Sequence, residues 1–233
     1  MRHNSHENME EYLNSRGGEG MKKVNILIAG VGGQGVMTIG MLLKYAAVKA
    51  GIMVGGTETR GASQREGSVN SHVRFGVLEP GEEYDERRGI HASLIPSGTA
   101  DLLIGLEPME TLRNAKYVSS SGIVIMNTYE VWPVSVRAGE AEYPPIEKFV
   151  EAMKAFTPHV YTVNVNRMAD EKYGGYTMAG TIMLGISFAT GRIPLEIRHI
   201  EETIMERLEN PEKNIDAFHF GYEEGKKMLG RGG

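Results

Sequence analysis

A glycine-rich turn is the segment of this sequence best suited to chemistry. Residues 30–35 read Gly-Val-Gly-Gly-Gln-Gly, which matches the pattern Gly-x-Gly-x-x-Gly, and they lie between an apolar run and a helical one. Unpaired backbone N–H groups and the positive end of the following helix dipole would let this turn bind a phosphate. The alternative is a tight turn without a ligand, since glycines also allow close packing of a helix on a sheet. The candidate binding residues are Gly30, Gly32, Gly33, Gln34 and Gly35.

Glu58 suggests one specific ligand for the turn. It follows Gly35 by about 20 residues, near the spacing at which dinucleotide-binding folds place a carboxylate for a ribose hydroxyl. This spacing favours NAD and an NAD-dependent Rossmann dehydrogenase. After Glu58, however, the sequence enters a Gly/Arg/Gln loop and an extended segment instead of a second crossover helix. We therefore favour a solvated loop carboxylate at this position.

A group of hydrogen-bond donors follows within residues 60–74. The planar fork of arginine suits phosphate or carboxylate, so we predict an anionic ligand or an acidic partner surface here. Ion pairs of the arginines with Glu58 and Glu66 are the alternative, and the small residues of the loop would also suit a subunit interface. The donors are Arg60, Gln64, Arg65, Ser68 and Arg74.

Metal chemistry is restricted by composition. The sequence contains no cysteine, so this chain supplies no disulfide, no thiolate nucleophile and no thiolate ligand for an iron–sulfur cluster. Its histidines lack metal-ligand spacing, and we predict no metal site in this chain. Asp101 and Glu107 flank a predicted strand, and Glu107 would either face a ligand or offset the dipole of the next helix.

The turn has to be positioned by a sheet. Apolar runs predict buried parallel strands at 24–29, 101–106, 122–127 and 160–163, an alternating run predicts a strand at 69–75, and 52–54 is a further candidate. Helices are predicted at 36–50, 107–116, 146–156, 164–172, 177–189, 194–208 and 211–228, with Pro194 and Pro211 in first turns and Asn210 as an N-cap. The expected fold is α/β, a three-layer Rossmann-like domain with a mostly parallel sheet and helices on both faces.

Composition limits the class of protein. With 233 residues, 41% hydrophobic and 24% charged, the chain suits one soluble domain. Its net charge of -5 has the wrong sign for binding nucleic acid. No long apolar run or signal-like start is present, so we expect a cytoplasmic protein without a membrane partner. Residues 1–20 predict a disordered tail and residues 21–230 the domain.

Three segments in combination match a known family. They are 25–35 with the glycine turn, 64–74 with Gln-Arg-Glu-Gly-Ser-Val and His-Val-Arg, and 95–108 with Ile-Pro, Ala-Asp and Leu-Glu-Pro. Together they resemble the gamma-type domain of the 2-oxoacid:ferredoxin oxidoreductases, in particular the indolepyruvate type. Matches at 143–144, 183–185 and 214–218 extend the resemblance over about residues 21 to 225.

The resemblance implies an enzyme of more than one chain. A larger alpha subunit would carry thiamine diphosphate, Mg and 4Fe–4S clusters. An arylpyruvate such as indolepyruvate would be decarboxylated there, with electrons passing to ferredoxin and the acyl group to coenzyme A. This chain lacks cysteine and a Gly-Asp-Gly sequence, so it would be inactive alone. In a heterotetramer it would complete the active-site wall, exclude water and lend donors to the phosphates of coenzyme A.

Two positions depart from the family pattern. Glu66 stands where relatives usually have glycine in Gln-Arg-Gly-Gly-Ser, and Gly180 stands where the family often has asparagine. We therefore assign no catalytic residue in this chain from the resemblance.

Overall fold

The computed structural model describes residues 21–61, 67–78, 81 and 89–230, which form a six-stranded sheet and eight helices. The strands are β1 Lys22–Val31, β2 Met53–Arg60, β3 Ser68–Val77, β4 Ala100–Gly105, β5 Val118–Asn127 and β6 Val160–Val163. The helices are α1 Val36–Lys49, α2 Pro108–Arg113, α3 Val134–Arg137, α4 Ile146–Lys154, α5 Val165–Tyr173, α6 Ala179–Ala189, α7 Ile197–Arg207 and α8 Pro211–Met228. Short 3-10 turns occupy Ala115–Tyr117 and Tyr176–Met178.

The strand order is β2-β3-β1-β4-β5-β6. Strands β1, β4, β5 and β6 pair in parallel, whereas β3 is antiparallel to both β1 and β2. From β1 the chain first builds the sheet on one side and then continues with β4 on the other. The carboxyl ends of β1 and β4 therefore meet at a topological switch point, where open α/β sheets bind ligands.

Both faces of the sheet are covered. Side chains of β1 alternate, so that Ile26 and Ile28 pack under α1 and α5 to α8 while Leu27 and Ala29 pack under α2 and α4. Leu102 and Leu103 of β4 divide between the same two cores. This alternation is the period of a strand buried on both sides, and it confirms the predicted three-layer α/β fold.

Two local predictions are wrong. The strand predicted at 52–54 continues through Glu58, which was expected in a loop, to Arg60, because β3 supplies a complete ladder of partners for it. Gly56 permits this pairing, since a Cβ there would collide with the carbonyl of His72. Pro194 lies before α7 instead of in its first turn, whereas Pro211 does begin α8.

The first and last elements of the structure both lie within residues 21–230, the range predicted for the domain. Residues 1–20, predicted as a tail, lie outside the described residues. The first strand begins at Lys22 and the last helix ends at Met228. In the described part of the chain, no helix is both long enough and apolar enough to cross a bilayer.

Candidate functional site

The glycine turn between β1 and α1 is closed by its own glutamine. The Oε1 atom of Gln34 accepts a hydrogen bond from the backbone N–H of Val31 at 2.8 Å, and its Nε2 donates to the carbonyl of Leu106 at 3.0 Å. Gly33 and Gly35 have φ angles of 93° and 89°, in the left-handed region that glycine adopts without strain. Gln34 thus joins the ends of β1 and β4.

A cavity of about 620 Å³ opens over this turn. Gln34, Leu106 and Asn127 line it, so it lies at the carboxyl ends of β1, β4 and β5. Its position is the switch point of the sheet, and its volume lies in the range of small-molecule sites, roughly 300–1,000 Å³. The predicted turn is therefore part of a ligand-sized cavity.

Four helices among the described residues begin at this cavity. The first turns of α1, α5, α6 and α8 contribute Gly35, Val165, Ala179 and Asn210 to its lining. The N-cap of α1 is Gly35, which has no side chain, and the N-cap side chains of α6 and α8, Met178 and Asn210, make no capping hydrogen bond. The first turns of α1, α5 and α6 contain no acidic residue. Since the N-terminal N–H groups of a helix carry partial positive charge, the cavity favours an anion.

The cavity favours an anion although its described lining contains no basic side chain. Among the described residues that line it, the only charged side chain is that of Glu209. Any attraction for an anion therefore comes from backbone dipoles and polar amides. This property carries no signal in the sequence, because it depends on how distant helices converge in the fold.

Asn127 ties three elements together at the floor of the cavity. Its buried Nδ2 donates to the carbonyl of Leu106 at 3.0 Å and to Oδ1 of Asn166 at 2.8 Å. Its Oδ1 accepts from the first N–H of α5, that of Val165, at 3.1 Å. Sequence reasoning did not single out Asn127, although a polar residue that ends an apolar parallel strand is a usable signal.

A second polar bridge joins α6 to α8. Thr181 donates to Oδ1 of Asn214 at 2.7 Å, and Asn214 donates to the carbonyl of Glu209 at 2.9 Å. The neighbouring Asn210 takes a left-handed conformation with φ 51°, the one such non-glycine residue in the described part of the chain. Strain of this kind is stored where the surroundings fix the backbone, and here it lies in the cavity wall.

An aromatic pair stands at the edge of the cavity. The rings of Tyr129 and Tyr176 lie 5.5 Å apart at 54°, and both residues line the cavity. Tyr176 is exposed, so one ring of the pair is open to solvent. Such a pair suits contact with a flat ring of a ligand.

The predicted donors divide into those near the turn and those elsewhere. Ser68 pairs with Val31 in the β1–β3 ladder, and the N–H of Gly32 donates to the carbonyl of Gly67 at 3.0 Å. The start of β3 therefore contacts the glycine turn. Gln64 and Arg65, together with Glu66, lie outside the described residues.

Arg74 and Arg60 lie at opposite ends of the sheet. Arg74 is buried toward the other end of β1, where its Nε donates to Oδ1 of Asn25 at 3.0 Å. Its Nη1 donates to the carbonyl of Ala92 at 2.6 Å. The Nη2 atom of Arg60 lies 2.7 Å from Sδ of Met37 on the surface. Arg60 pairs with Val69, which pairs with Gly30, so it lies at the turn end of the sheet. The structure therefore brings Ser68 and Arg60 to this end and Arg74 to the other.

Glu58 is neither in a loop nor free in solvent. It lies on β2 and forms an ion pair with Lys44 of α1. In a dinucleotide-binding fold β2 lies next to β1, but here β3 lies between them. Glu58 is therefore displaced by one strand, about 5 Å, from the position that a ribose would require.

Glu107 is the N-cap of α2. One oxygen of this buried carboxylate accepts from the N–H of Glu110 at 2.8 Å, and the other accepts from the hydroxyl of Tyr143. Burial raises the pKa of Glu107, and burial together with this carboxylate raises the pKa of Tyr143. Of the two predicted roles for Glu107, the structure supports the helix-capping one.

No metal centre accompanies the cavity in the described part of the chain. Within residues 21–61, 67–78, 81 and 89–230, no three His, Asp or Glu side chains are grouped so that they could hold a metal ion. Together with the lack of cysteine, this leaves the anion-favouring cavity as the candidate site.

Comparison with known proteins defines the class. The family described as pyruvate ferredoxin/flavodoxin oxidoreductase matches residues 25–224, and the chain belongs to this family. It is 37% identical over 204 residues to the indolepyruvate oxidoreductase subunit IorB of Archaeoglobus fulgidus, covering 87% of this chain and 95% of that one. It is 36% identical over 214 residues to the subunit of the same name from Pyrococcus horikoshii, covering 90% and 99%.

Solved structures share the fold. The keto/oxoacid ferredoxin oxidoreductase gamma subunit from Geobacter sulfurreducens superposes with a TM-score of 0.59 at 19% identity, covering 88% of this chain and 99% of that one. The 2-oxoglutarate:ferredoxin oxidoreductase from Magnetococcus marinus, solved with 2-oxoglutarate, coenzyme A and succinyl-CoA bound, gives 0.63 at 17% identity over 88% of this chain and 31% of that one. The predicted family is confirmed, and the comparisons give the NAD-dependent dehydrogenase no support.

Proposed function

We propose that this chain is the non-cluster-binding subunit of a thiamine diphosphate-dependent 2-oxoacid:ferredoxin oxidoreductase. Its substrate class would be arylpyruvates such as indolepyruvate, oxidatively decarboxylated to an acyl-CoA. The observation that carries this proposal is the match to IorB subunits at 36% and 37% identity over nearly their whole length. On this basis the chain is a subunit of an enzyme and is inactive alone.

The redox groups would belong to a larger alpha subunit. This chain has no cysteine, so it does not fit a thiolate-bound 4Fe–4S cluster. When bound to the partner, thiamine diphosphate supplies the electron sink for decarboxylation. We propose a heterotetramer that passes its electrons to ferredoxin.

The cavity would receive the phosphate-bearing part of coenzyme A. Three uncapped helix N-termini, those of α1, α6 and α8, present their first turns to it, and the glycine turn lets a phosphate approach the backbone closely. Tyr129 and Tyr176 would contact a flat ring at the edge. The volume of about 620 Å³ suits part of such a ligand.

This chain would also shield the reaction from water. Covering a reactive intermediate prevents its hydrolysis and strengthens the electrostatic interactions around it. The cavity is open at the carboxyl edge of the sheet, so a partner seated over that edge would share one enclosed site with it.

Reconstitution tests the proposal. The larger subunit of an indolepyruvate ferredoxin oxidoreductase is assayed with and without this chain for indolepyruvate- and coenzyme A-dependent reduction of ferredoxin. We expect activity and a stable complex only when both chains are present. A larger subunit that is fully active alone, beside a chain that stays separate from it on size exclusion, would overturn the proposal.

Substrate class is tested in the same assay. Indolepyruvate and phenylpyruvate are compared with 2-ketoisovalerate and 2-oxoglutarate, since relatives at 29% identity are named for ketoisovalerate and 2-oxoglutarate. We expect the highest kcat/KM with the aryl substrates. A preference for a branched-chain or acidic substrate would contradict this part of the proposal.

A further inference from the structure

The connection from β5 to α4, residues 128–145, forms one wall of the cavity. Tyr129 and Val131 line the cavity, while Trp132 and Val134 further along are exposed by 51% and 72%. The short helix α3 within this connection buries none of its residues. Apolar packing therefore does little to hold the middle of the connection in place, whereas Tyr143 near its end packs against Phe149.

A single carboxylate holds the connection near both of its ends. Glu107 accepts a hydrogen bond from the hydroxyl of Tyr143, and the backbone N–H of Val131 also acts on this carboxylate, lowering its pKa. The same carboxylate accepts from the N–H of Glu110 and thereby caps α2, which is packed in the core. Two points of the connection, twelve residues apart in Val131 and Tyr143, thus converge on one fixed group.

Leu106, the residue before Glu107, contacts the other side of the cavity. The carbonyl of Leu106 accepts from Gln34 in the glycine turn and from Asn127 at the end of β5, both at 3.0 Å. Leu106 and Glu107 are consecutive, so the end of β4 fixes both the turn and the opposite wall. Glu107 itself does not line the cavity.

The burial of Glu107 strengthens its contact with the connection 128–145. The residue is 1% exposed, so its charged form depends on the donors around it. If the connection moved away, the carboxylate would lose the hydrogen bond from the hydroxyl of Tyr143. Partly satisfied buried polar groups are costly, so the contact with Glu107 favours the seated position of the connection.

We infer that Glu107 and Tyr143 are positioning residues that hold Tyr129 and Val131 as a wall of the cavity and so set its affinity for coenzyme A. The effect on affinity rests on the function proposed above. Neither residue needs to touch the ligand, since both act through the connection 128–145.

Hydrogen exchange tests the positioning on the full chain by itself. In Glu107→Ala and Tyr143→Phe we expect at least a tenfold faster exchange of the Val131 amide and of peptides within residues 128–143, with α1 unchanged. Tyr143→Phe removes only a hydroxyl and guards against loss of folding in Glu107→Ala. The matched control is Asp101→Asn, which alters a fully buried acid at the other end of β4 that accepts from the N–H of Asn25 at 2.7 Å.

Kinetics of the complex test the effect on affinity. Glu107→Ala and Tyr143→Phe should raise the KM for coenzyme A several-fold with a smaller change in kcat, while Asp101→Asn leaves the KM unchanged. Unchanged exchange at Val131 in both variants, or an equal rise of KM in Asp101→Asn, overturns the inference. A wild-type complex that does not require coenzyme A overturns the proposed function instead, and the exchange data then still decide whether Glu107 positions the connection.

Discussion

Gly180 lies directly against the glycine turn at Gly35. A Cβ built on Gly180 would lie 3.5 Å from the carbonyl oxygen of Gln34, and one on Gly35 would lie 3.9 Å from the Cα of Gly180. The first turns of α1 and α6 therefore meet backbone to backbone. This contact brings two uncapped helix N-termini to the same wall of the cavity, although the sequence alone marks Gly180 only as a departure from its family.

Side-chain size at position 180 should control ligand binding. Gly180→Ala makes only an ordinary van der Waals contact, and alanine is favoured over glycine in a helix by up to about 1 kcal/mol. We expect an unchanged or higher Tm for this variant. Gly180→Leu would project into the cavity and raise the KM for coenzyme A about tenfold, equivalent to about 1.4 kcal/mol. An unaltered KM in Gly180→Leu would show that the ligand does not occupy this region.

Gly35 should be intolerant of a side chain for a different reason. Its φ of 89° lies in the left-handed region, which costs an L-residue roughly 1–2 kcal/mol. We expect Gly35→Ala to lower the free energy of unfolding in urea by about that amount. Gly180→Ala is the matched control, since it adds the same methyl group without this conformational cost. Equal stabilities of the two variants would contradict the prediction.

Gln34→Glu separates the two hydrogen bonds of the turn. Glutamate still accepts from Val31 but no longer donates to Leu106, which should cost about 1–2 kcal/mol of stability. It also adds a negative charge beside the helix N-termini, so the KM for coenzyme A should rise about tenfold or more.

The control for Gln34→Glu is Lys49→Gln at the opposite end of α1. Lys49 pairs with Glu206 at the surface, where an ion pair contributes less than about 1 kcal/mol. We expect no change in the KM for coenzyme A in this variant. A similar KM for both variants would mean that the charge near the turn is irrelevant to binding.

His72 should make stability fall on the acid side. Burial lowers its pKa below 6.5, so the unfolded chain binds a proton that the folded chain excludes. The stabilising effect is complete above pH 6.5 and is lost as the pH falls toward the lowered pKa. In urea titrations, His72→Asn should flatten this dependence while keeping an acceptor for the N–H of Ile95. An unchanged acid slope in the variant would assign the dependence to other groups.

Glu107 should change the pH dependence of folding stability in the direction opposite to His72. Its raised pKa means that the folded chain keeps a proton which the unfolded chain has released. Stability is therefore greatest below the ordinary glutamate pKa and decreases as the pH rises through the raised value. Glu107→Gln should remove this decrease, as measured by the free energy of unfolding across the same series. A persisting decrease would contradict the assignment.

The sequence could predict those parts of the site that are local. The glycine turn, the strand before it and α1 after it depend on adjacent residues, and all three were predicted correctly. The place of Glu58 was not, because spacing along the chain does not show that β3 lies between β1 and β2. Sequence distance groups Arg74 with Ser68, but the antiparallel strand β3 carries Arg74 to the far end of β1.

The convergence at the cavity is a tertiary property. Asn127, Asn210 and Gly180 come from segments far apart in the chain, and none carries a motif of its own. What brings them together is the packing of α5, α6 and α8 on one face of the sheet. Glu107 was noticed as a strand-end carboxylate, but its two distant donors could not be read from sequence.

Because the described cavity lining has no basic side chain, its attraction for an anion would come mainly from peptide groups. Peptide groups neither gain nor lose protons in the physiological range, and they are not targets of acetylation or methylation. The attraction for an anionic ligand would thus be permanent. Modifications that remove the charge of lysine side chains would not affect it. Selectivity between anionic ligands would then depend on their shape, through side chains such as Tyr129 and Tyr176 at the edge of the cavity.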